Sequence, residues 1–184
     1  APSLTQRFHQ EANVHFICEE LAQRGPTRMF SLGFSSLSYV KGADPRLDLK
    51  GVANRVEQRG GVDCYLWWTP LHPFNPRLGW LTPISRQGYQ MYRRACPEIL
   101  KTWCREASTI FIESGLSVLF IEDIRRWNPR AQIIYLASDD LRTIGVDPFL
   151  LAEFSGMSSP VTSARMPSRE LARTMPDGLK CLYV

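Results

Sequence analysis

Two places in this sequence put carboxylates where a sheet protein could use them. Glu113 ends the apolar run STIFIE and is followed by Ser114 and Gly115, while Asp139 and Asp140 follow the apolar run AQIIYLA and Ser138. In open α/β sheets ligands bind beyond the carboxyl ends of the strands, so an acid at such an end can take a proton from a bound substrate. Gly115 lets a substrate approach the backbone, and a helix starting there offers free N–H groups to an anion. The competing reading is structural, since an acid before a helix also serves as an N-cap or a partner of the helix dipole. The other reactive types form no constellation. His9, His15 and His72 share no metal-ligand spacing, Cys64 and Cys104 have no base in view, and there is no GxSxG, Walker A or GxGxxG motif.

A second group mixes aromatic with basic side chains: Trp67, Trp68, Phe74 and Trp80 with Arg77, Arg86, Arg93 and Arg94. Indole rings settle at the lipid headgroup level and cations meet anionic lipid there, which makes this group a candidate membrane contact. Single-stranded nucleic acid is bound with the same residue types, and packing of the tryptophans against the core under a loop is the third possibility.

The elements that must position these residues alternate in type. Asn13 to Arg24 has apolar residues at helical spacing, with Gly25 as its stop. Thr27–Phe34, Val62–Trp68, Ser108–Glu113 and Ala131–Ala137 read as strands. Helical patterns cover Ile84–Cys96, the stretch from Pro97 to Glu106, and Leu116–Trp127. Apolar strands separated by helices predict a parallel α/β sheet covered on both faces. Thr69–Pro83 stands apart, because its four prolines exclude regular structure although Leu71, Phe74, Leu78, Trp80 and Leu81 are apolar. The chain opens on a loop and helix and closes on the strand-like KCLYV, which reads as a domain cut at both ends.

Composition sets the outer limits. At 184 residues, with 44% hydrophobic and 22% charged residues, the chain is long enough and apolar enough for a single domain with a real core. A net charge of +4 suits an anionic surface or a phosphate-bearing ligand, and falls short of the clustered basicity of most nucleic-acid binders. Five cysteines without a CxxC pair argue against a disulfide framework or a structural zinc site and for reduced, buried thiols. No apolar stretch reaches the roughly 18 residues of a spanning helix, and no signal-peptide pattern opens the sequence. The expectation is a soluble or peripheral protein.

The stretches ANVHFICEELAQRG, TRMFSLGFSSLS, GVDCYLWWTPLHPFNPRLGWLTP, IFIESGLSVLFIE and IIYLASDDLRTI occur in order from about Ala12 to Phe154. In these the chain resembles the membrane-associated glucuronosyltransferases of xanthan assembly. The resemblance implies a GT-B enzyme of two Rossmann-like halves, with residues 1–184 as the acceptor-binding half; the fold's first strand and the nucleotide-sugar domain would be absent, leaving this part inactive by itself. It implies inverting, metal-independent transfer of glucuronate from UDP-glucuronate to a polyprenyl-diphosphate-linked oligosaccharide, with no cofactor and no nucleic acid involved. The setting would be the cytoplasmic face of the bacterial inner membrane, against anionic lipid. Asp139 falls on the catalytic base of the family's Ala-Ser-Asp motif, and Glu113, Ser114, Ser138 and Asp140 become candidate acceptor contacts. Leu136 stands where the family has Arg and Asp140 where it has Gly. After Phe154 the match fades, and PVTSARMPS replaces a continuous apolar strand. The rival readings are a non-catalytic, membrane-docked acceptor-binding subunit with a separate donor-binding partner, and a general ligand- or nucleic-acid-binding α/β domain.

Overall fold

Strands form where β-branched and aromatic residues cluster between glycine and proline breaks. In the computed structural model, which describes residues 14–36, 47–71, 73, 82–113, 115–136, 162–164 and 175–184, they are β1 (Thr27–Ser35), β2 (Val56–Arg59), β3 (Val62–Thr69), β4 (Thr109–Glu113), β5 (Gln132–Leu136), β6 (Thr162–Ala164) and β7 (Cys181–Tyr183). The helices are α1 (Val14–Ala22), α2 (Thr82–Arg94), α3 (Glu98–Glu106) and α4 (Ile121–Trp127). Short 3-10 turns occupy Leu47–Val52 and Leu116–Phe120. The helical pattern read from Leu116 to Trp127 is therefore a 3-10 turn running into an α-helix.

All seven described strands join one sheet in the order β2-β3-β1-β7-β4-β5-β6. Six are parallel, and β2 pairs antiparallel with β3. The β2–β3 hairpin was not anticipated. Its two-residue turn is Gly60-Gly61, with φ of 55° and 80°, and Arg59 pairs with Val62 across it. Such primed turns need positive φ at both central positions, which glycine supplies without a Cβ clash. The strand itself, Val-Glu-Gln-Arg, is polar and part-exposed, as an edge strand can be.

The sheet is buried on both sides, as a parallel sheet must be. Alternate residues feed two cores. Phe30, Tyr65, Ile110, Ile112, Ile133 and Leu182 face α2, α3, the 116–120 turn and α4. Met29, Cys64, Leu66, Phe111, Ile134 and Tyr183 face α1 and the 47–52 turn. Phe30 stacks on Tyr65 with ring centroids 5.2 Å apart, and Trp103 of α3 meets both edge-on at 6.4 and 6.3 Å. Fully burying one such side chain is worth about 1.5–3 kcal/mol, and aromatic geometry adds to that.

Polar side chains tie the helix ends down. Arg93 of α2 reaches Asp123 of α4, which also pairs with Arg126 at 3.4 Å. Asn128, just beyond α4, donates through Nδ2 to the carbonyls of Cys104 and Ala107, each at 2.8 Å. Its Oδ1 accepts from the backbone N–H groups of Arg130 and Ala131. One side chain thus caps the carboxyl end of α3 and shapes the turn into β5. Asn128→Ala should lower stability by about 2–3 kcal/mol, because several part-buried backbone groups lose their partner at once. Asn128→Asp, which turns an acceptor toward carbonyl oxygens in place of a donor, should cost more; urea unfolding measures both.

All five cysteines are free and buried. Burial, the largest cause in each case, pushes the Cys64, Cys96 and Cys104 thiols up to about 12 and Cys181 to about 11. Cys18 is raised well above its ordinary value by burial, then by Cys64, Cys181 and Glu113 beside it. The thiolate is the reactive form, so a maleimide at pH 8 should label these positions only after unfolding. The unfolded chain loses its thiol protons first, near the ordinary value of 9.0. The stability held by neutral buried thiols is therefore complete below about pH 9 and lost as pH rises toward 12. A falling urea midpoint across that interval is the expected result.

Candidate functional site

The connections leaving β1 and β4 turn away from each other, one toward β3 and the other toward β5. A crevice opens where crossovers part in this way, above the carboxyl ends of the central strands. Here those ends are Gly33–Ser35 of β1, Val184 after β7, and Glu113 of β4 followed by Gly115.

Glu113 stands at this edge and is 7% exposed. Its backbone N–H donates to the Val184 carbonyl at 3.3 Å, and its carbonyl accepts from Ser117 Oγ at 2.5 Å. Ser117 thereby holds the first turn after the strand. The side chain lies two residues beyond Phe111, on the α1 face, consistent with its influence on the Cys18 thiol. Gly115 has φ of 123°, a conformation that L side chains rarely adopt, so a glycine is required for the chain to leave β4 at this angle.

Gly33 shapes the neighbouring strand end. The pairing of β1 with β3 shifts register between Ser31 and Phe34, which marks a β-bulge. Gly33 has φ of 70°, and a Cβ there would come within 3.3 Å of Leu116 Cδ1. Its N–H donates to the Tyr92 hydroxyl at 3.1 Å, so α2 secures the bulge. Past it, Ser35 pairs with Thr69, and both side chains are buried. Thr69 Oγ1 donates to the Leu71 carbonyl at 2.8 Å and starts the departure of the chain from β3. Sequence reasoning overlooked this bulge, although a glycine inside a strand pattern is its usual sign.

Of the candidate site residues, Glu113, Trp67 and Trp68 are described, as are Arg93 and Arg94 of the basic group, Arg93 being engaged by Asp123; Ser114, Ser138, Asp139, Asp140, Phe74 and Trp80 lie outside the described residues. Leu136, the last residue of β5, pairs with Glu113. β5 therefore ends at the same edge of the sheet as Glu113. Trp67 requires a correction. It is 4% exposed, its ring centroid 4.3 Å from Tyr92 and 6.4 Å from Phe120, so it is core and has no surface to offer a membrane. The strand alternation places it on the inner face with Tyr65. Trp68, on the other face, is partly buried, with the Lys50 ammonium 5.5 Å from its ring centroid and its backbone N–H held by Asn54 at 2.9 Å. Among the described residues no helix is long and apolar enough to cross a membrane, and no cluster of potential metal ligands occurs.

The sequence that builds this geometry has relatives. The family profile described as "Glucuronosyltransferase GumK, N-terminal domain" matches residues 5–166. The UDP-glucuronate:glycolipid 2-beta-glucuronosyltransferase of Xanthomonas campestris pv. campestris is 44% identical to this chain over 173 residues. That match takes in 89% of this chain and 43% of the relative, so the chain spans less than half the relative's length. The matched region carries β1 to β6, both cores apart from the residues that β7 and Val184 contribute, and Glu113 at the carboxyl edge. The chain belongs to the family of N-terminal domains of GumK-type glucuronosyltransferases.

Proposed function

We propose that this domain is the acceptor-binding half of an inverting glycosyltransferase, which transfers glucuronate from UDP-glucuronate to a lipid-linked oligosaccharide with Asp139 as general base. The observation that carries the reading is the family match across residues 5–166, joined to the register that brings the end of β5 beside Glu113. The relative's own name specifies a UDP-glucuronate donor and a glycolipid acceptor. Covalent geometry keeps Asp139 within about 11 Å of Leu136, three residues along the chain. Inversion requires one base to take the proton of the acceptor hydroxyl as it attacks the anomeric carbon opposite the departing UDP. A carboxylate at the carboxyl edge of this sheet faces the side on which a second, donor-binding domain would close. Glu113, Ser114, Ser138 and Asp140 are assigned to the acceptor. No metal is needed for the proton transfer.

The test uses a chimera in which residues 5–166 replace the matching region of the Xanthomonas enzyme. The chimera should transfer glucuronate to the lipid-linked acceptor. Asp139→Asn should lower its turnover by about 10²–10⁴, the usual worth of general-base assistance, with little change in the KM for UDP-glucuronate. Asp140→Asn should keep most of the activity. A dead Asp140→Asn beside an active Asp139→Asn would move the base by one residue, and two active variants would remove it from this loop.

Membrane docking of the acceptor side belongs to the same proposal, at the cytoplasmic face of the inner membrane. Leu71, at the head of the proline-rich segment, is 66% exposed, and Met91 on α2 is 63% exposed beside exposed Arg94. Apolar and basic groups side by side suit an anionic headgroup layer. Phe74→Ser with Trp80→Ser should weaken binding to phosphatidylglycerol-containing liposomes while the far-UV circular dichroism stays nearly unchanged. Loss of the folded spectrum would mean that both rings are core, as Trp67 is.

A further inference from the structure

The last of the described strands, β7, occupies the middle of the sheet, between β1 and β4. Doubly wound sheets of the dinucleotide-binding kind run 3-2-1-4-5-6, with the earliest strand in that middle place. With β2 set aside as an edge addition, the order here is β3-β1-β7-β4-β5-β6. It becomes the doubly wound order when β7 is counted first, β1 second and β3 third, with β4, β5 and β6 keeping their places.

The position of α1 supports that count independently. Its residues Ile17, Cys18 and Leu21 lie on the sheet face that also receives Leu49 from the connection between β1 and β3. A crossover from β7 to β1 would move across the sheet in the same direction as the one from β1 to β3. A common right hand puts both on one face, so α1 lies where a helix joining the first and second strands belongs. The family match, moreover, ends at residue 166, before β7 begins.

We propose that Met175–Val184 does the work of the first strand of the doubly wound order, supplied here by a segment that lies C-terminal to the family match. The segment is built into its place. The Arg24 carbonyl accepts from Gly178 N–H at 2.7 Å, and the Pro26 carbonyl accepts from Cys181 N–H at 2.9 Å. Arg24 Nη1 donates to the Met175 carbonyl at 3.2 Å and to Asp177 Oδ1 at 3.4 Å. On the other flank Ser108 N–H donates to the Lys180 carbonyl at 2.9 Å, and Val184 N–H to the Phe111 carbonyl at 2.9 Å. A Cβ at Gly25 would fall 2.4 Å from the Leu179 carbonyl oxygen, so the α1–β1 turn is fitted to the incoming chain.

Moving residues 175–184 to a position ahead of Ala1 tests this. Residues 1–13 then become the connection between β7 and α1, with a reach of up to about 45 Å. The transposed protein should unfold in one cooperative urea transition and show the amide-exchange pattern of the natural order. In the natural order the Cys181 and Val184 amides should exchange within about tenfold of those of β4. Gly25→Ala should speed exchange at Cys181 in both arrangements by about tenfold or more. A transposed chain with no cooperative transition overturns the proposal. So does a natural-order chain in which Cys181 and Val184 exchange freely while β1 and β4 remain protected.

Discussion

Everything in this domain depends on the parallel ladder that β7 makes with β1 on one side and β4 on the other. β1 otherwise pairs with β3, and β4 otherwise pairs with β5, so three residues supply the hydrogen-bonded link between two half-sheets. Both cores depend on these residues and on Val184 after them. Leu182 and Val184 enter the core under α3 and α4, and Cys181 and Tyr183 enter the one under α1. Removing that strand would leave two inner edges with unpaired backbone groups and apolar side chains open to water, and both are costly.

The carboxyl edge inherits its shape from this closure. Val184 accepts the Glu113 N–H, Ser117 holds the Glu113 carbonyl, and Gly115 turns the chain out of β4. On the neighbouring strand β1, the bulge at Gly33 is pinned by Tyr92 and leaves little room for a Cβ beside Leu116. Rigid strands thus set the exit points of loops, and loops that leave a rigid scaffold are where an acceptor sugar and a proton-accepting carboxylate can be held.

The aromatic residues divide along the same line. Trp67, Tyr92, Phe120, Tyr65, Phe30 and Trp103 form one buried system that glues α2 and α3 to the sheet. The membrane reading is left with the chain beyond Thr69, where Leu71 is already exposed. Strand alternation makes this distinction once the strand's place inside the sheet is known. Val62–Thr69 alternates through Tyr65 and Trp67 on one face and Cys64 and Leu66 on the other, and a parallel strand in mid-sheet has no solvent face.

The apolar runs of β1, β3, β4 and β5, the helical spacing of Ile17, Cys18 and Leu21, and the proline and glycine breaks between them are local properties. They made the α/β class, most element positions and the emergence of Glu113 at a strand end legible from the sequence. The family motifs, from ANVHF to IIYLASDD, made the glycosyltransferase reading legible as well, because they are long and ordered. The chain could not reveal by itself where KCLYV goes. As a short apolar run it can sit at an edge or in the centre, and pattern alone does not choose between them. That choice comes from contacts distant in sequence: Arg24 and Pro26 on one flank, Ser108 and Phe111 on the other. β2 escaped for the same reason, its polar residues being held by pairing with β3 instead of by burial. Local physics determined the elements; tertiary pairing decided which strand closes the sheet.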